Sequence, residues 1–329
     1  MSVALDTRFM QADAAAIRAA ARCLAEGGLV AFPTETVYGL GADATNGTAV
    51  ARLYAAKGRP SFNPLIAHVA DAAAARRLAQ FDAAAERLAA LWPGPLTLVL
   101  AKAANCPVAD LATAGLDTIA VRVPGHAVAH DILTASGKPI VAPSANRSGH
   151  VSATTAQHVA ADLDGRIDLI VDGGPTSVGL ESTIIACLGS QPVLLRPGGI
   201  PRARIEQTLG GTLPDSTAAD LIGSCETPLA PGRLESHYAP KARLRLEADS
   251  VHDGEALLAF GPLPPRAERV SRVLNLSSRG DLVEAAANLF SYLRALDAAG
   301  ATSIAVMPVP RAGLGEAIND RLARAARPR

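Results

Sequence analysis

Aromatic residues are scarce in this sequence of 329 residues: they make up 3% of it, although hydrophobic residues make up 49%. Its cores must therefore be built mainly from alanine, valine, leucine and isoleucine. No run of about 18 or more uncharged apolar residues occurs, which argues against a membrane-spanning helix. The first eleven residues include Asp6 and Arg8 and lack the apolar core of a signal peptide. We therefore expect a cytoplasmic protein without membrane contact.

Cysteine is also rare, and no two of the four cysteines lie within a few residues of each other: they are Cys23, Cys106, Cys187 and Cys225. This spacing excludes a zinc knuckle and a redox Cys-x-x-Cys motif. Buried, reduced thiols are the expected state.

An excess of charge of either sign is missing too, since there are 31 Lys and Arg residues and 31 Asp and Glu residues. The balance holds on both sides of Thr212, with 17 of each sign up to that residue and 14 of each after it. Proteins that depend on nucleic-acid affinity normally carry a basic excess, because phosphate neutralisation drives their binding. Any cationic site must therefore be local.

The pattern up to residue 212 alternates between strand and helix. Helices are predicted at 13–28, 46–57, 125–136 and 154–163, with one or two more at 71–91. Strands are predicted at 29–32, 64–69, 96–100, 118–123, 140–142, 167–171, 182–187 and 193–195. Some strands follow each other with no helix between them, which argues against a purely parallel sheet. We predict a mixed α/β domain with a twisted sheet over residues 1–212.

Residues 213–242 lack a sustained amphipathic period and are punctuated by proline and glycine, so we interpret them as an interdomain linker. A second, small α/β domain is predicted over residues 243–329. Its strands are expected at 243–246, 256–260, 272–275 and 303–307, and its helices at 281–299 and 314–326. The glycine-rich stretch 311–315 is interpreted as a structural turn.

Polar clusters follow several predicted strands, where open α/β sheets usually bind ligands. The first cluster, Pro33 to Gly41, combines two threonines, a glutamate and two glycines after a buried strand. Such a segment can present backbone and side-chain donors together. A simple turn into a helix is an equally good interpretation of its position.

The second cluster contains Lys57 and Arg59, two residues apart in a segment broken by glycine and proline. An extended backbone there would send both cations to the same side. Two like charges aimed together favour an anion between them, so phosphate binding is indicated, with a solvated turn as the alternative. His68 stands among apolar residues further on, where a satisfied core histidine is the more usual interpretation.

The third cluster is the strand that contains Thr118 and Arg122. These two side chains share one face of the strand, and apolar side chains occupy the other. Arg122 is therefore either solvated or a clamp for a carboxylate.

Two more clusters combine hydroxyl groups with glycine or arginine. Residues 143–149, with Ser152 just beyond, allow a backbone to approach an anion closely. Residues 181–183 and 195–199 form the fifth cluster, which contains Arg196.

Familiar catalytic motifs are incomplete or missing. His126 and His130 are four residues apart on a predicted helix, but an alanine replaces the glutamate of the zinc motif His-Glu-x-x-His. Ser144 and Ser182 lack the Gly-x-Ser-x-Gly elbow of a covalent nucleophile and an assignable histidine base. Neither a Walker loop nor a complete dinucleotide fingerprint occurs. We therefore expect no metal site formed by the protein and no covalent nucleophile.

Taken in order, the five clusters resemble the YrdC-type threonylcarbamoyl-AMP synthase family. The resemblance is carried by FPTETVYGLGADA, KGRPSFNPL, WPGPLTLVL, AGLDTIAVRVP, IVAPSANRSG, GLESTII and LLRPG, which span nearly all of the first 212 residues. PGRLESHYAP and the small domain after it resemble the two-domain form of the family, whereas the short form would stop near Gly211. The resemblance implies a YrdC-like catalytic domain followed by a small Rossmann-like α/β domain.

The resemblance also implies a reaction. L-Threonine and bicarbonate would give N-carboxythreonine, whose carboxylate attacks the α-phosphorus of ATP and releases pyrophosphate and threonylcarbamoyl-AMP. A tRNA threonylcarbamoyl transferase complex would then pass the threonylcarbamoyl group to an adenosine beside the anticodon. Mg²⁺ is expected as the ATP counter-ion, held mainly by phosphate oxygens.

Carried over residue by residue, the family pattern implies roles for particular side chains. Around threonine it places Thr36, His68, Arg122, Ala142 and Ser182. Around ATP it places Arg59, Asn63, Thr118, Ser144, Ser152, Arg196 and Tyr238. Lys57 and Arg59 would be the catalytic residues, and because the nucleophile belongs to the substrate, catalysis would rest on positioning and electrostatic stabilisation.

The linker departs from the family pattern in one stretch. The family usually has an aromatic and basic stretch before His-Tyr, whereas residues 233–236 read Arg-Leu-Glu-Ser here, before His237 and Tyr238. The Pro-Gly and His-Tyr-Ala-Pro flanks are unchanged, so the departure concerns the detailed contacts of the linker.

Two other functions fit parts of the sequence. YrdC-like domains also occur in hydrogenase-maturation carbamoyltransferases, but those carry acylphosphatase-like and zinc-finger regions, for which this chain has neither paired Cys-x-x-Cys motifs nor room. RNA binding in a cationic cleft is retained as a secondary role. Neutral charge in both domains and few aromatic residues argue against it as the main role.

Overall fold

The computed structural model of the chain describes residues 5–216, 238–264, 267, 270 and 272–327. Most of the predicted linker, and with it residues 233–236 and His237, lies outside the described residues. The first part of the chain contains strands β1 to β10 and helices α1 to α7, with a short 3₁₀ helix at Asp110–Thr113. The strands are Arg8–Gln11, Val30–Pro33, Tyr38–Asp43, Ile66–His68, Leu96–Ala101, Thr118–Arg122, Ile140–Val141, Leu169–Asp172, Thr183–Ala186 and Val193–Arg196. The helices are Ala14–Ala25, Gly47–Lys57, Ala72–Leu78, Ala83–Ala89, Ala127–Ser136, Ala156–Leu163 and Arg202–Leu209.

These ten strands form one sheet in the order β1-β8-β2-β3-β7-β4-β6-β5-β9-β10. The pairing is mixed: β2 and β3 form an antiparallel hairpin, whereas β4 and β6 are parallel, as are β5 and β9. The prediction of a mixed rather than a purely parallel sheet is therefore confirmed. Apolar side chains from both faces of the sheet pack against the helices and form its main cores.

Helix ends in this domain follow from capping side chains. Asp13 accepts a hydrogen bond from a backbone amide of the first turn of α1, and Asn46 does the same for α2. Helix α2 ends at Gly58, whose φ of 63° is left-handed and therefore favours glycine. This termination fixes Lys57 in the last turn of the helix and begins the irregular segment that contains Arg59.

The sequence pattern does not predict four elements: the short 3₁₀ helix at Asp110–Thr113, strands β1 and β3, and helix α7. Strand β1 lies at the sheet edge with mostly exposed side chains, so it contains no apolar run. Strand β3 contains two glycines, which are depleted in strands, and most of it falls in the first polar cluster, Pro33 to Gly41. Helix α7 buries only Ile205, so its apolar periodicity is weak. All the elements that the sequence pattern predicts in this domain are present, with ends shifted by a few residues.

The second part of the chain is an all-parallel sheet of four strands in the order β11-β14-β12-β13. The strands are Arg243–Arg245, Ala256–Ala259, Val273–Asn275 and Ser303–Val306, and the helices α8 and α9 are Leu282–Ala298 and Gly315–Ala325. All six correspond to predicted elements. Across the described parts of both domains, no helix is long and apolar enough to cross a lipid bilayer.

The two parts share an apolar cluster. Val37, Val151 and Leu180 of the large domain are buried in the same cluster as Phe290 of α8. The backbones also approach closely there, since a Cβ on Gly179 would lie 2.4 Å from a carbonyl oxygen of α8. The small domain therefore packs directly against the loops that carry the predicted site.

Candidate active site

A cavity of about 50 Å³ lies where residues from all five sequence clusters meet. Strand pairing explains the meeting: His68 of β4 lies opposite Arg122 of β6 in parallel register, and Ser144 forms a bridge with Gly39 of β3. The lining residues are Thr36, Val37, Arg59, Ile66, His68, Arg122, Ala142, Pro143, Ser144, Glu181, Ser182, Arg196 and Tyr238. Nine of them are predicted site residues: Thr36, Arg59, His68, Arg122, Ala142, Ser144, Ser182, Arg196 and Tyr238.

Arg122 is the centre of one end of the cavity. It is 4% exposed, and its Nη2 donates to Oε1 of Glu35 at 2.7 Å and to Oγ1 of Thr36 at 2.9 Å. Glu35 is itself held because its Oε2 accepts from the backbone amide of Gly125 at 3.0 Å. Nε of Arg122 is buried and has no hydrogen-bond partner among the described residues. Arg122 is therefore not solvated, and it retains an unused donor.

The turn between β2 and β3 supplies hydroxyl groups beside this arginine. Thr34 Oγ1 donates to the carbonyl of Val37 at 2.7 Å, so it accepts the proton of Thr36 Oγ1, also at 2.7 Å. The Thr36 hydroxyl thus donates to one side and accepts from Arg122 on the other. The alternative interpretation of this segment as a turn into a helix is wrong, because it closes a hairpin.

His68 is neutral in this environment. Burial, together with the nearby Arg122 charge, lowers its pKa to about 3. Its Nδ1 lies 3.1 Å from the carbonyl oxygen of Ile66, and because a carbonyl can only accept, Nδ1 carries the proton. Nε2 is consequently a hydrogen-bond acceptor. A purely structural core histidine does not describe this residue, since it also lines the cavity.

Two more arginines, Arg59 and Arg196, line the same cavity. Arg59 donates from Nη2 to the carbonyl of Pro64 at 3.0 Å, and Arg196 donates from Nη2 to the carbonyl of Ser182 at 2.9 Å. Burial lowers the pKa of Arg59 to about 10 and also lowers that of Arg196. Both nevertheless remain cations at neutral pH, so two like charges face one small space, which favours an anion there.

Lys57 lies differently from what was predicted. The expectation of an extended backbone between Lys57 and Arg59 is wrong, because Lys57 is the last residue of helix α2, as predicted for 46–57, and Gly58 is left-handed. Its side chain is 3% exposed, and Nζ donates to the carbonyls of Ser144 and Asn146, both at 2.5 Å. Burial lowers its pKa well below the ordinary value. In this structure Lys57 fixes the segment that carries Ser144.

Comparisons with known proteins agree with this arrangement. A family described as "Telomere recombination" matches residues 22–198, and a family described as "Threonylcarbamoyl-AMP synthase, C-terminal domain" matches residues 200–327. The chain is 42% identical to threonylcarbamoyl-AMP synthase of Bacillus subtilis over 94% of this chain and 92% of that one, and 44% identical to the Pyrococcus abyssi protein of that name over 94% of both. The chain belongs to the threonylcarbamoyl-AMP synthase family.

Solved structures extend the likeness to the whole fold of this family member. The crystal structure of P. abyssi Sua5 complexed with L-threonine has a TM-score of 0.86 and 40% identity, and covers 97% of each chain. A structure of HypF has a TM-score of 0.52 at 21% identity over 57% of this chain and 30% of that one, which shows the fold alone.

Three predicted nucleotide-binding residues of this threonylcarbamoyl-AMP synthase family member do not line the cavity. Ser152 is fully buried, and its hydroxyl donates to Oε1 of Glu181 at 2.6 Å. Oδ1 of Asn63 and Oγ1 of Thr118 are buried without a hydrogen-bond partner among the described residues. The nucleotide role of these three residues stays a prediction.

Two residues at the site are missed by reasoning from sequence. Glu181 lines the cavity and was noted only as part of the fifth cluster, without a role. Arg321 of α9 in the small domain contacts it, with 2.8 Å between Nε and Oε2. No local pattern announces this pair, because its members are 140 positions apart.

The histidine pair four residues apart has ordinary structural contacts. Nδ1 of His126 accepts from the amide of Val128 at the start of α5, and His130 is exposed. Within the described ranges, no group of three or more His, Cys, Asp or Glu residues is placed to hold a metal ion. Cys23 and Cys106 are half-buried free thiols, Cys187 is a buried one, and Cys225 lies outside the described residues.

Proposed function

We propose that this protein synthesises L-threonylcarbamoyladenylate from L-threonine, bicarbonate and ATP with release of pyrophosphate, for threonylcarbamoyladenosine modification of tRNA next to the anticodon. It would thus be a nucleotidyltransferase. The observation that carries the proposal is that one cavity is lined by an arginine and a neutral histidine, Arg122 and His68, together with two further arginines, Arg59 and Arg196. Family membership and a threonine-bound relative support the same assignment.

Threonine would occupy the end formed by Arg122 and His68. The unused Nε of Arg122 is a donor suited to the substrate carboxylate. Nε2 of His68 can accept a hydrogen bond from the substrate hydroxyl, which valine lacks. Thr36, Ala142 and Ser182 would complete the threonine subsite, and the wall made by the β2–β3 turn would fix its orientation.

The phosphates of ATP would occupy the end formed by Arg59 and Arg196. Their two charges face the same space and would balance the negative charge of the triphosphate and of the leaving pyrophosphate. Ser144 and Tyr238 lie in the same walls and would contact the nucleotide. Lys57 would act indirectly, by holding the segment that carries Ser144.

The reaction needs no protein nucleophile. The amine of threonine condenses with bicarbonate to give N-carboxythreonine and water, and a carbamate oxygen of N-carboxythreonine attacks the α-phosphorus of ATP. A new bond forms between the α-phosphorus and the carbamate oxygen. The bond from the α-phosphorus to the oxygen that bridges to the β-phosphorus breaks, and its electron pair leaves with pyrophosphate. The protein contributes orientation and charge stabilisation, which can account for a large share of such rate enhancements.

Mg²⁺ fits this site as a companion of the ATP phosphates. The cavity offers hydroxyl groups and one carboxylate, Glu181, but no protein cage of oxygen ligands among the described residues. Mg²⁺ commonly keeps several waters and binds through substrate phosphates. When bound, it would neutralise phosphate charge, and Arg59 and Arg196 would supply the rest.

We also propose that the product is consumed by a tRNA threonylcarbamoyl transferase complex, which implies a cytoplasmic location. RNA contact would be secondary, since the transferase and not this protein must position the anticodon loop.

The test is pyrophosphate release by the purified full chain. Release should require ATP, threonine and bicarbonate together, and valine should not replace threonine. Arg59→Ala should abolish most turnover while the thermal unfolding curve is retained, and Arg204→Ala, at an exposed arginine of α7, should behave like the wild type. Equal release without threonine would contradict the proposal, and wild-type turnover of Arg59→Ala would remove that residue from the phosphate site.

A further inference from the structure

Arg321 of the small domain is fully buried, with 0% exposure, although it belongs to the last helix of the chain. Its guanidinium group reaches across the domain boundary. Nε donates to Oε2 of Glu181 at 2.8 Å, and Nη2 donates to the carbonyl of Pro197 at 3.0 Å. Asp320, its neighbour in α9, accepts from Nη1 at 2.5 Å. A buried charge with this many cross-domain partners is fixed in one position.

Glu181 is the cavity residue that receives this contact. One carboxylate oxygen accepts from Ser152 and the other from Arg321. Burial alone would raise the pKa of Glu181, but Arg321 and Arg196 outweigh burial and lower it. Glu181 is therefore an ionised carboxylate in the wall of a pocket that otherwise collects positive charge.

The same guanidinium group also contacts the cavity from another side. Cζ of Arg321 lies 5.4 Å from the centroid of the Tyr238 ring, in cation–π geometry. The Tyr238 ring also stacks on Phe290 of α8, with 5.4 Å between centroids and an interplanar angle of 23°. Two residues that line the cavity, Glu181 and Tyr238, thus depend on one arginine of the small domain.

A second arginine of the small domain supports the same region. Nη2 of Arg294 in α8 donates to Asp162 at 2.8 Å and also to the carbonyl of Val151, and its Nε donates to the carbonyl of Ser152 at 3.3 Å. Ser152 is therefore held by its backbone from Arg294 and by its hydroxyl from Glu181. The small domain therefore holds Glu181 directly through Arg321, and Arg294 holds Ser152, which is hydrogen-bonded to Glu181.

We propose that Arg321 is a positioning residue for the nucleotide end of the active site: it pairs with Glu181 so that this carboxylate does not repel the ATP phosphates, and it holds Tyr238 against the cavity. The inference rests on the proposed function. Removing the cation would leave a buried, unpaired carboxylate next to the triphosphate, and like charges placed together in a desolvated site oppose binding. Among the described residues, the hydrogen bonds of Arg321 go to Glu181, Asp320 and Pro197, and none goes to Arg122 or His68.

The experiment compares Michaelis constants in the pyrophosphate-release assay on the full chain. Arg321→Met should raise the KM for ATP by about 30-fold, which is the effect of losing about 2 kcal/mol of binding. The KM for threonine should change by less than about two-fold. The double variant Arg321→Met/Glu181→Gln, which removes the unpaired charge as well, should recover most of the ATP affinity. A purely structural role would lower the melting temperature without this substrate-specific split or this recovery.

Glu316→Gln is the matched control. Glu316 lies on the same helix, and its Oε1 accepts from Arg202 of the large domain at 2.6 Å, but it does not line the cavity. This variant loosens an interdomain ion pair and should leave both KM values unchanged. An equal rise in the KM for ATP in Glu316→Gln would overturn the inference, because domain docking in general would then be the cause.

Arg321→Lys keeps the test decisive if Arg321→Met does not fold. Lysine retains the charge but not the fork, so the KM for ATP should still rise by about three-fold or more. An unchanged KM for ATP in whichever variant folds overturns the inference. The wild-type arm tests the proposed function separately: if pyrophosphate release does not depend on threonine and bicarbonate, the proposed function fails, whatever the variants do.

Discussion

Replacing Arg122 with lysine should weaken threonine binding and leave ATP binding nearly unchanged. In the structure, Nη2 of Arg122 is engaged by Glu35 and Thr36, whereas Nε is buried without a partner among the described residues. A lysine keeps the positive charge that balances Glu35. It lacks the second donor and the planar fork that hold a carboxylate. The substitution therefore separates the effect of charge from the effect of geometry.

The size of the effect follows from the one donor that is lost. A hydrogen bond to a charged group contributes about 1.5 to 3 kcal/mol. At about 1.36 kcal/mol for each factor of ten, the dissociation constant for threonine should rise roughly 10- to 150-fold. The fold should tolerate the change, because a neutral replacement and not a lysine would leave Glu35 buried and unpaired, at a cost of about 3 to 5 kcal/mol.

Titration calorimetry with threonine, and the KM values for threonine and ATP, measure this prediction. Arg52→Lys is a suitable control, because the Arg52 side chain is 39% exposed, pairs with Asp168 at 3.1 Å and does not line the cavity. That variant should bind threonine like the wild type. A wild-type dissociation constant in Arg122→Lys, or an equal loss of affinity for ATP, would refute the assignment of Arg122 to the threonine carboxylate.

Three further predictions concern the walls of the cavity. Gly198→Ala should lower kcat/KM by roughly 100-fold, because a Cβ there would lie 2.4 Å from the carbonyl oxygen of Glu181 and would displace the cavity wall. Gly211→Ala is the control, because a Cβ at that position meets no atom within 4 Å. Equal activity of the two variants would contradict the reasoning. The pKa of His68 in the folded protein is about 3, below the ordinary 6.5. The stability that the fold gains from this difference is complete above about pH 6.5 and is lost at about 1.4 kcal/mol per pH unit as the pH falls toward 3. Thermal unfolding between about pH 7.5 and pH 5 should therefore show a smaller acid-induced loss in His68→Gln than in the wild type, and parallel losses would count against a neutral buried histidine. Lys57→Met should lower the free energy of unfolding by about 2 to 4 kcal/mol in denaturant titrations, because two carbonyl groups lose their donor; unchanged stability with lost turnover would instead favour a catalytic role.

Much of the site could be predicted because its residues have a signal in the local sequence. Each cluster sits where an apolar run gives way to hydroxyl groups, glycine or arginine, and such transitions mark strand ends. Arg122 shows why a strand face was informative: its alternation with apolar neighbours placed it away from the core face, and the parallel register with β4 then set it opposite His68. Family resemblance added the roles, which spacing alone does not provide.

Other features depend on distance or on one backbone angle and have no local signal. The helix predicted at 46–57 is present and includes Lys57, but the extended backbone expected between Lys57 and Arg59 is replaced by the left-handed Gly58. The pairing of Arg321 with Glu181 exists only once two domains pack together. Sequence patterns report the local conformational preference of a segment, whereas these contacts depend on tertiary packing.

The apolar cluster that contains Val37, Val151, Leu180 and Phe290 has a consequence for how this architecture can be shortened. Ending the chain after the large domain would expose the first three side chains to water, and Val37 is also part of the cavity wall. A single-domain relative must therefore have different residues, suited to contact with water, on this surface. In this respect the small domain is comparable to the second subunit of an obligate dimer, because it covers apolar side chains of the large domain that would otherwise be exposed.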